Sequence, residues 1–228
     1  MLGIEYAMAI VVQTLSEQIY ALMRDRVISG NLPADVAIRQ DALAAELGVS
    51  KIPLREAFAR LEQDGLLQYI TNRGYFVRSL SYEEVEEIYA LRLKIEPEAV
   101  GTAAKKAGEK EKKIAHDALI ALEEAAGSDK SRVGKLNREF HMALVRPIGR
   151  QITIQIVERL NLISERYVGK HLEPAGRDSR AQQEHTAMYE AWRAGQSKVV
   201  EGMMHDHIAS TLDDLRKQFE IERAAANG

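Results

Sequence analysis

The sequence has no cysteine, and that absence alone removes disulfides, thiolate metal sites and cysteine nucleophiles. Proline is scarce, with 5 in 228 residues, and only 6% of residues are aromatic. With few helix breakers and 29% charged residues, the chain reads as soluble and helix-rich. Long apolar runs are missing too. The longest near the N-terminus, Met8 to Val12, is too short for a membrane span or a signal core. The expected setting is therefore a reducing cytoplasm, with no membrane partner. Neither charge sign dominates, since the formal net charge is −3, so any nucleic-acid surface must be local. What is present is 46% apolar residues, enough for one large core or two small ones.

The patterned sequence begins just after Met8, which reads as a start; removing Met1 to Ala7 is expected to change neither folding nor binding. From Ser16, the apolar residues Ile19, Leu22, Met23, Val27 and Ile28 recur at helical spacing until Gly30-Asn31. Leu32-Pro33 is an extended link, and a second helix spans about Gln40 to Leu47. Gly48-Val49 turns the chain into a third helix with Ser50 as N-cap. That helix has Leu54, Ala57, Phe58 and Leu61 on one side and Lys51, Arg55 and Arg60 on the other. Gly65 ends it. Two β-prone runs follow, Leu66 to Ile70 and Tyr75 to Val77, around the turn Thr71-Asn72-Arg73-Gly74. Three helices and a hairpin with a basic tip predict a winged helix-turn-helix over residues 9–80.

The segment GNLPADVAIRQDALAAELGVSKIPLREAFARLEQDGLLQYITNRGYFV resembles the DNA-binding domain of the GntR family of bacterial transcriptional regulators. The resemblance is carried by the LA..LGVS turn, the Pro and Arg-Glu-Ala of the third helix, the L-x-x-x-G-L exit and the N-R-G tip. It implies that the third helix enters the major groove and the hairpin tip the minor groove. Ser50, Lys51 and Arg55 would then meet phosphates or bases, with Arg73 and Gly74 in the wing. Arg55 is the favoured guanine reader and Lys51 a phosphate contact. Two positions depart from the pattern. Asp41 stands where many relatives carry a backbone-contacting Arg, a task that passes to Arg39, and Lys51 stands where Arg is commoner. Residues 9–80 are neutral overall: Arg24, Arg26, Arg39, Lys51, Arg55, Arg60, Arg73 and Arg78 against Glu17, Asp25, Asp35, Asp41, Glu46, Glu56, Glu62 and Asp64. Binding is thus expected to need two copies on two half-sites of double-stranded DNA.

Beyond residue 80 the pattern is all helical. Ser81-Tyr82-Glu83-Glu84 is a capping box. Helices are predicted at about 82–107, 110–126, 131–146, 150–170, 177–194 and 197–223, with breaks that include Gly108, Gly149, Pro174-Ala175-Gly176 and Gly195. Residues 81–228 should therefore form a six-helix bundle. Six histidines lie here: His116, His141, His171, His185, His205 and His207. Asn137 and His141 share one helix flank, four residues apart. His185 lies on an inner face with Ala181, Met188 and Trp192. On the last helix, phase places His205 nearer the apolar stripe than His207. Three imidazoles and one oxygen could bind a divalent ion such as zinc or nickel with a position open for a further ligand; equally, they could be ordinary interior or surface histidines.

Arg92 falls in the buried stripe Val85, Ile88, Ile95 and Ala99, where a charge needs a partner. It could pair with Glu96 at i+4 or form the cationic floor of a site for an anion. Arg92-x-x-x-Glu96, Asn137-Arg-Glu-Phe-His141, Gln-Glu-His185 and Met204-x-x-His207-Ile resemble the FCD effector-binding domain of the FadR subfamily, nearest its VanR-like branch. The resemblance implies metal ligands Asn137, His141, His185 and His207, with Asn in place of the commoner Asp. It implies a small carboxylate effector at Arg92, with Tyr89, Arg138 and Arg166 as further candidates. The expected protein is a ligand-responsive repressor acting as a homodimer on a palindromic operator. The rival is a metal-dependent hydrolase or lyase joined to a DNA-binding domain, with Glu184 as its only candidate base. A third reading keeps the metal purely structural.

Overall fold

The computed structural model describes residues 13–34, 36–79, 81–129, 132–172 and 177–226, with side chains except those of 168–179 and 226. The expected start at Met8, the break at Pro174-Ala175-Gly176 and the His171 side chain lie outside the described residues. Two compact units divide between Arg78 and Ser79.

The first unit is built from α1 (Leu15–Ile28), α2 (Gln40–Leu47), α3 (Lys51–Gln63) and the strands β1 (Leu67–Ile70) and β2 (Gly74–Val77). Helix α1 starts ahead of the predicted Ser16 because Thr14 and Glu17 close a capping box: Thr14 Oγ1 accepts the Glu17 amide at 3.2 Å, and Glu17 Oε2 accepts the Thr14 amide at 2.8 Å. Ile19, Tyr20, Met23 and Val27 of α1 are buried, as are Leu54, Ala57, Phe58 and Leu61 of α3, the stripe its periodicity predicts. Gly48, at φ +64°, ends α2 in the left-handed region where a Cβ is costly. Antiparallel β1 and β2 pair Leu67 with Val77 and Ile70 with Gly74, and Asn72 takes the left-handed φ of 63° in the turn. The extended link after Pro33 also joins the hairpin, bridging Ala34 to Val77 and Ala37 to Phe76. Periodicity carried no signal for those single bridges.

The second unit contains α4 (Tyr82–Ala104), α5 (Glu109–Ser128), α6 (Val133–Val145), a 3-10 turn (Arg146–Ile148), α7 (Gln151–Leu172), α8 (Arg177–Arg193) and α9 (Ser197–Ala226). Ser81 caps α4 by accepting the Glu84 amide at 3.0 Å, and the Glu84 carboxylate accepts the Tyr167 hydroxyl at 3.0 Å. Tyr89, Phe140, Tyr167, Trp192, Met188 and Met204 fill the core. Buried Trp192 gives its indole N–H to the Leu144 carbonyl at 3.0 Å. Among the described residues no helix is long and apolar enough to cross a membrane.

Candidate metal centre and nucleic-acid interface

Three imidazoles converge in the second unit. His141 enters from α6, His185 from α8 and His207 from α9, each with a ring nitrogen within 4.8 Å of the others. All are buried, with His141 at 0% exposure. Phe140, the residue before His141 on α6, packs edge-on against it, with ring centroids 5.9 Å apart. His185 Nε2 stands 3.3 Å from His207 Nε2. Glu184, the residue before His185 on α8, accepts a 2.6 Å hydrogen bond from His207 Nδ1. Because a carboxylate only accepts, that bond puts a proton on Nδ1 and turns Nε2 toward the cluster. His141 is the unusual member, because both of its ring nitrogens are buried without a hydrogen-bond partner. Burial holds its pKa well below the ordinary histidine value, with His207, His185 and Arg92 adding to the effect. The ring is therefore neutral and able to donate a lone pair.

These groups fit a divalent ion. Two nitrogens on one tetrahedral zinc stand roughly 3.3 Å apart for Zn–N bonds of about 2.05 Å. The facing Nε2 atoms have that spacing, and a carboxylate backs one of the two rings. Orphaned nitrogens on a fully buried ring are costly unless something binds them. Of the expected ligand set, the structure brings His141, His185 and His207 together; Asn137 lies half-buried one turn before His141 on α6. His205 is excluded from the cluster. Its side chain is 56% exposed and turned to Asp206.

The expected effector residues are arranged differently from a bare cationic floor. Arg92 is 3% exposed and gives Nε and Nη2 to Glu96 at 2.6 and 3.2 Å. Nη2 also reaches Asn161 Oδ1, and Nη1 reaches Ser164 Oγ, each at 3.1 Å. The i,i+4 pair is thus present, and its partners on α7 complete it. Glu96 Oε2 is also 3.9 Å from His141 Nδ1. Arg138, likewise buried, gives Nε to Glu165 at 2.8 Å. Tyr89 lies beneath the Arg92 guanidinium at 5.1 Å, and its buried hydroxyl has no hydrogen-bond partner. Arg166 is half-buried on α7. Sequence reading missed Asn161, Ser164 and Glu165. Their signal was a polar patch on an otherwise apolar face that includes Val157 and Leu160.

In the first unit, Ser50 holds the N-cap of α3 in extended backbone, yet its hydroxyl makes no cap bond. Lys51 is ion-paired with Asp41 at 2.5 Å. Arg55, one turn along α3, is exposed, as is Arg39 at the N-cap of α2. Phe58 holds α3 to the hairpin through an edge-on contact with Tyr75, with centroids 5.2 Å apart. At the tip Arg73 is exposed with its guanidinium 5.3 Å over Phe76, and Gly74 has φ +92°.

The family model for bacterial regulatory proteins of the gntR family matches residues 15–77, and that for the FCD domain matches residues 87–210. Over 183 residues the chain is 31% identical to the Nta operon transcriptional regulator of Aminobacter aminovorans, covering 80% of this chain and 76% of that protein. It is 27% identical over 153 residues to the HTH-type transcriptional repressor GlaR of Escherichia coli K12, covering 65% and 70%. Among solved structures, E. coli McbR/YncC superposes with a TM-score of 0.79 at 19% identity, over 91% of this chain and 100% of that one, which speaks for the fold alone. With a helix-turn-helix match, an FCD match and regulators as its relatives, the chain belongs to the GntR family of transcriptional regulators and is not an enzyme.

Proposed function

We propose that this regulator is a cytoplasmic homodimeric repressor whose grip on a palindromic operator is loosened by a small carboxylate bound at a divalent ion in the FCD unit. The observation that carries the reading is His141: a fully buried imidazole with no partner for either nitrogen, set against two further imidazoles. His141, His185 and His207 would hold the ion, zinc or nickel, with Asn137 supplying an oxygen. When bound, such an ion supplies a Lewis-acidic anchor for an anion. Arg92 and Arg138 are already matched by Glu96 and Glu165, so they shape the floor more than they attract the ligand. Tyr89 can gain a hydrogen bond from a ligand, and Arg166 is a further contact. An acid of this kind acts only through its different affinity for the DNA-competent and DNA-incompetent states.

The test begins with an operator selected from random duplexes by the full chain, followed by a screen of small carboxylic acids for release. Tyr89→Phe is expected to weaken the effective acid by about 1.5–3 kcal/mol, the worth of a hydrogen bond to a charged group, while operator affinity stays constant. Absence of any releasing acid, or an unchanged response in Tyr89→Phe, contradicts this pocket.

On the DNA side, Arg39, Ser50, Lys51, Arg55, Arg73 and Gly74 are the proposed contacts, with Arg55 reading a base. Because Asp41 holds Lys51, the first unit gives up one cation to an internal pair. Asp41→Asn is expected to free it, tightening non-specific duplex binding and steepening the dependence of log K on log salt by about 0.9. Fluorescence anisotropy across a salt series reads this directly; an unchanged slope would mean Lys51 does not meet a phosphate.

A further inference from the structure

Glu184 stands beside the histidine cluster without belonging to it. Its Oε2 accepts from His207 Nδ1 at 2.6 Å, while its Oε1 lies 3.4 Å from Arg180 Nε. Arg180 is itself drawn to Asp214 on α9 through Nη2, so its charge is divided between two carboxylates. The rival use of Glu184, as a general base, conflicts with this bond, because the oxygen nearest the cluster is already occupied.

Two needs of the site point at this residue. The first is orientation. An imidazole ligates through one nitrogen, and the bond made by the other decides which one is free. His207 has a tautomer set by Glu184, whereas His141 has no hydrogen bond on either nitrogen. The second need is charge. Three neutral imidazoles and the Asn137 amide bring no negative charge to a dication, where an aspartate in place of Asn137 would bring one. Glu96, a second carboxylate near the cluster, is neutralised by Arg92.

We propose that Glu184 is the positioning carboxylate of the metal site, fixing His207 with Nε2 toward the ion and supplying from the second sphere the charge that Asn137 lacks. It also makes His207, not His205, the ligand from α9. This rests on the histidine cluster holding an ion, as proposed above.

The test uses the full-length chain, stripped by chelation and titrated with zinc against a chromophoric competitor. Glu184→Ala is expected to weaken zinc binding 10–100-fold. Glu184→Gln should fall between that variant and wild type, because its amide oxygen still accepts from Nδ1–H but has no charge. Nitrogen-15 spectra of the stripped chain should show His207 protonated on Nδ1 in wild type and Glu184→Gln, and shifted toward Nε2 protonation in Glu184→Ala. A purely structural role would leave that tautomer unmoved. Equal zinc affinity for Glu184→Ala and wild type overturns the proposal, as does an unchanged His207 tautomer. A wild-type chain that takes up no zinc overturns the site reading itself, and this proposal with it.

Discussion

Replacing Arg92 with alanine is expected to cost the helical unit about 3–5 kcal/mol, a large part of the stability of an ordinary domain. The cost comes from Glu96. Its carboxylate is 0% exposed and has Arg92 as its cation at 2.6 Å, with Asn161 Nδ2 donating to the same oxygen at 2.9 Å. Without the guanidinium, a buried charge remains with only an amide to stabilise it. Asn161 Oδ1 and Ser164 Oγ lose a donor as well. Replacing both members, as in Arg92→Met with Glu96→Leu, should recover most of the loss, because neither charge is then buried unpaired. Thermal melts of the single and double variants measure this. Equal losses in both would show that packing, not the ion pair, sets the cost. The same geometry makes Arg92→Ala a poor probe of ligand response, since any loss of response would be confounded with loss of fold.

The second large effect is expected from zinc binding at the proposed site. A ligand that binds only the folded state stabilises it by RT ln(1 + [L]/Kd), about 4.1 kcal/mol at a thousandfold excess over Kd. Adding zinc to the stripped chain should therefore raise the melting midpoint of the helical unit, and chelation should reverse the change. His141→Ala should abolish the zinc-dependent part. In the stripped state it should cost less than an ordinary core truncation, because it also removes two unsatisfied buried nitrogens. His205→Ala should melt like wild type with and without zinc, since that ring lies outside the cluster.

Much of the first unit was legible because its signals are local. The α3 stripe of Leu54, Ala57, Phe58 and Leu61 depends only on helical period, and all four are buried. The left-handed turns at Gly48 and around Asn72 follow from residues that tolerate positive φ. The Lys51–Asp41 pair was not legible, although both residues were singled out, because it joins the starts of two helices through a tertiary approach. In the helical unit the histidine cluster was legible by resemblance and misjudged by phase. Periodicity assumes one apolar stripe, but α9 packs against α4, α7 and α8 together. Its buried arc is correspondingly wide and takes in His207, Thr211 and Asp214 beside Met204, Ile208, Leu212 and Leu215. His207 lies in that arc and His205 falls outside it. Similarly, α6 gave no hint that Arg138 is matched by Glu165, a partner that comes from α7.

The most direct test of the account is the divalent-ion content of the purified full chain, measured by elemental mass spectrometry after dialysis with zinc, for wild type beside His141→Ala. A single ion per wild-type chain is expected, and none above background in His141→Ala. A wild-type chain without stoichiometric metal, or a variant that retains it, would contradict a metal centre built on His141, His185 and His207.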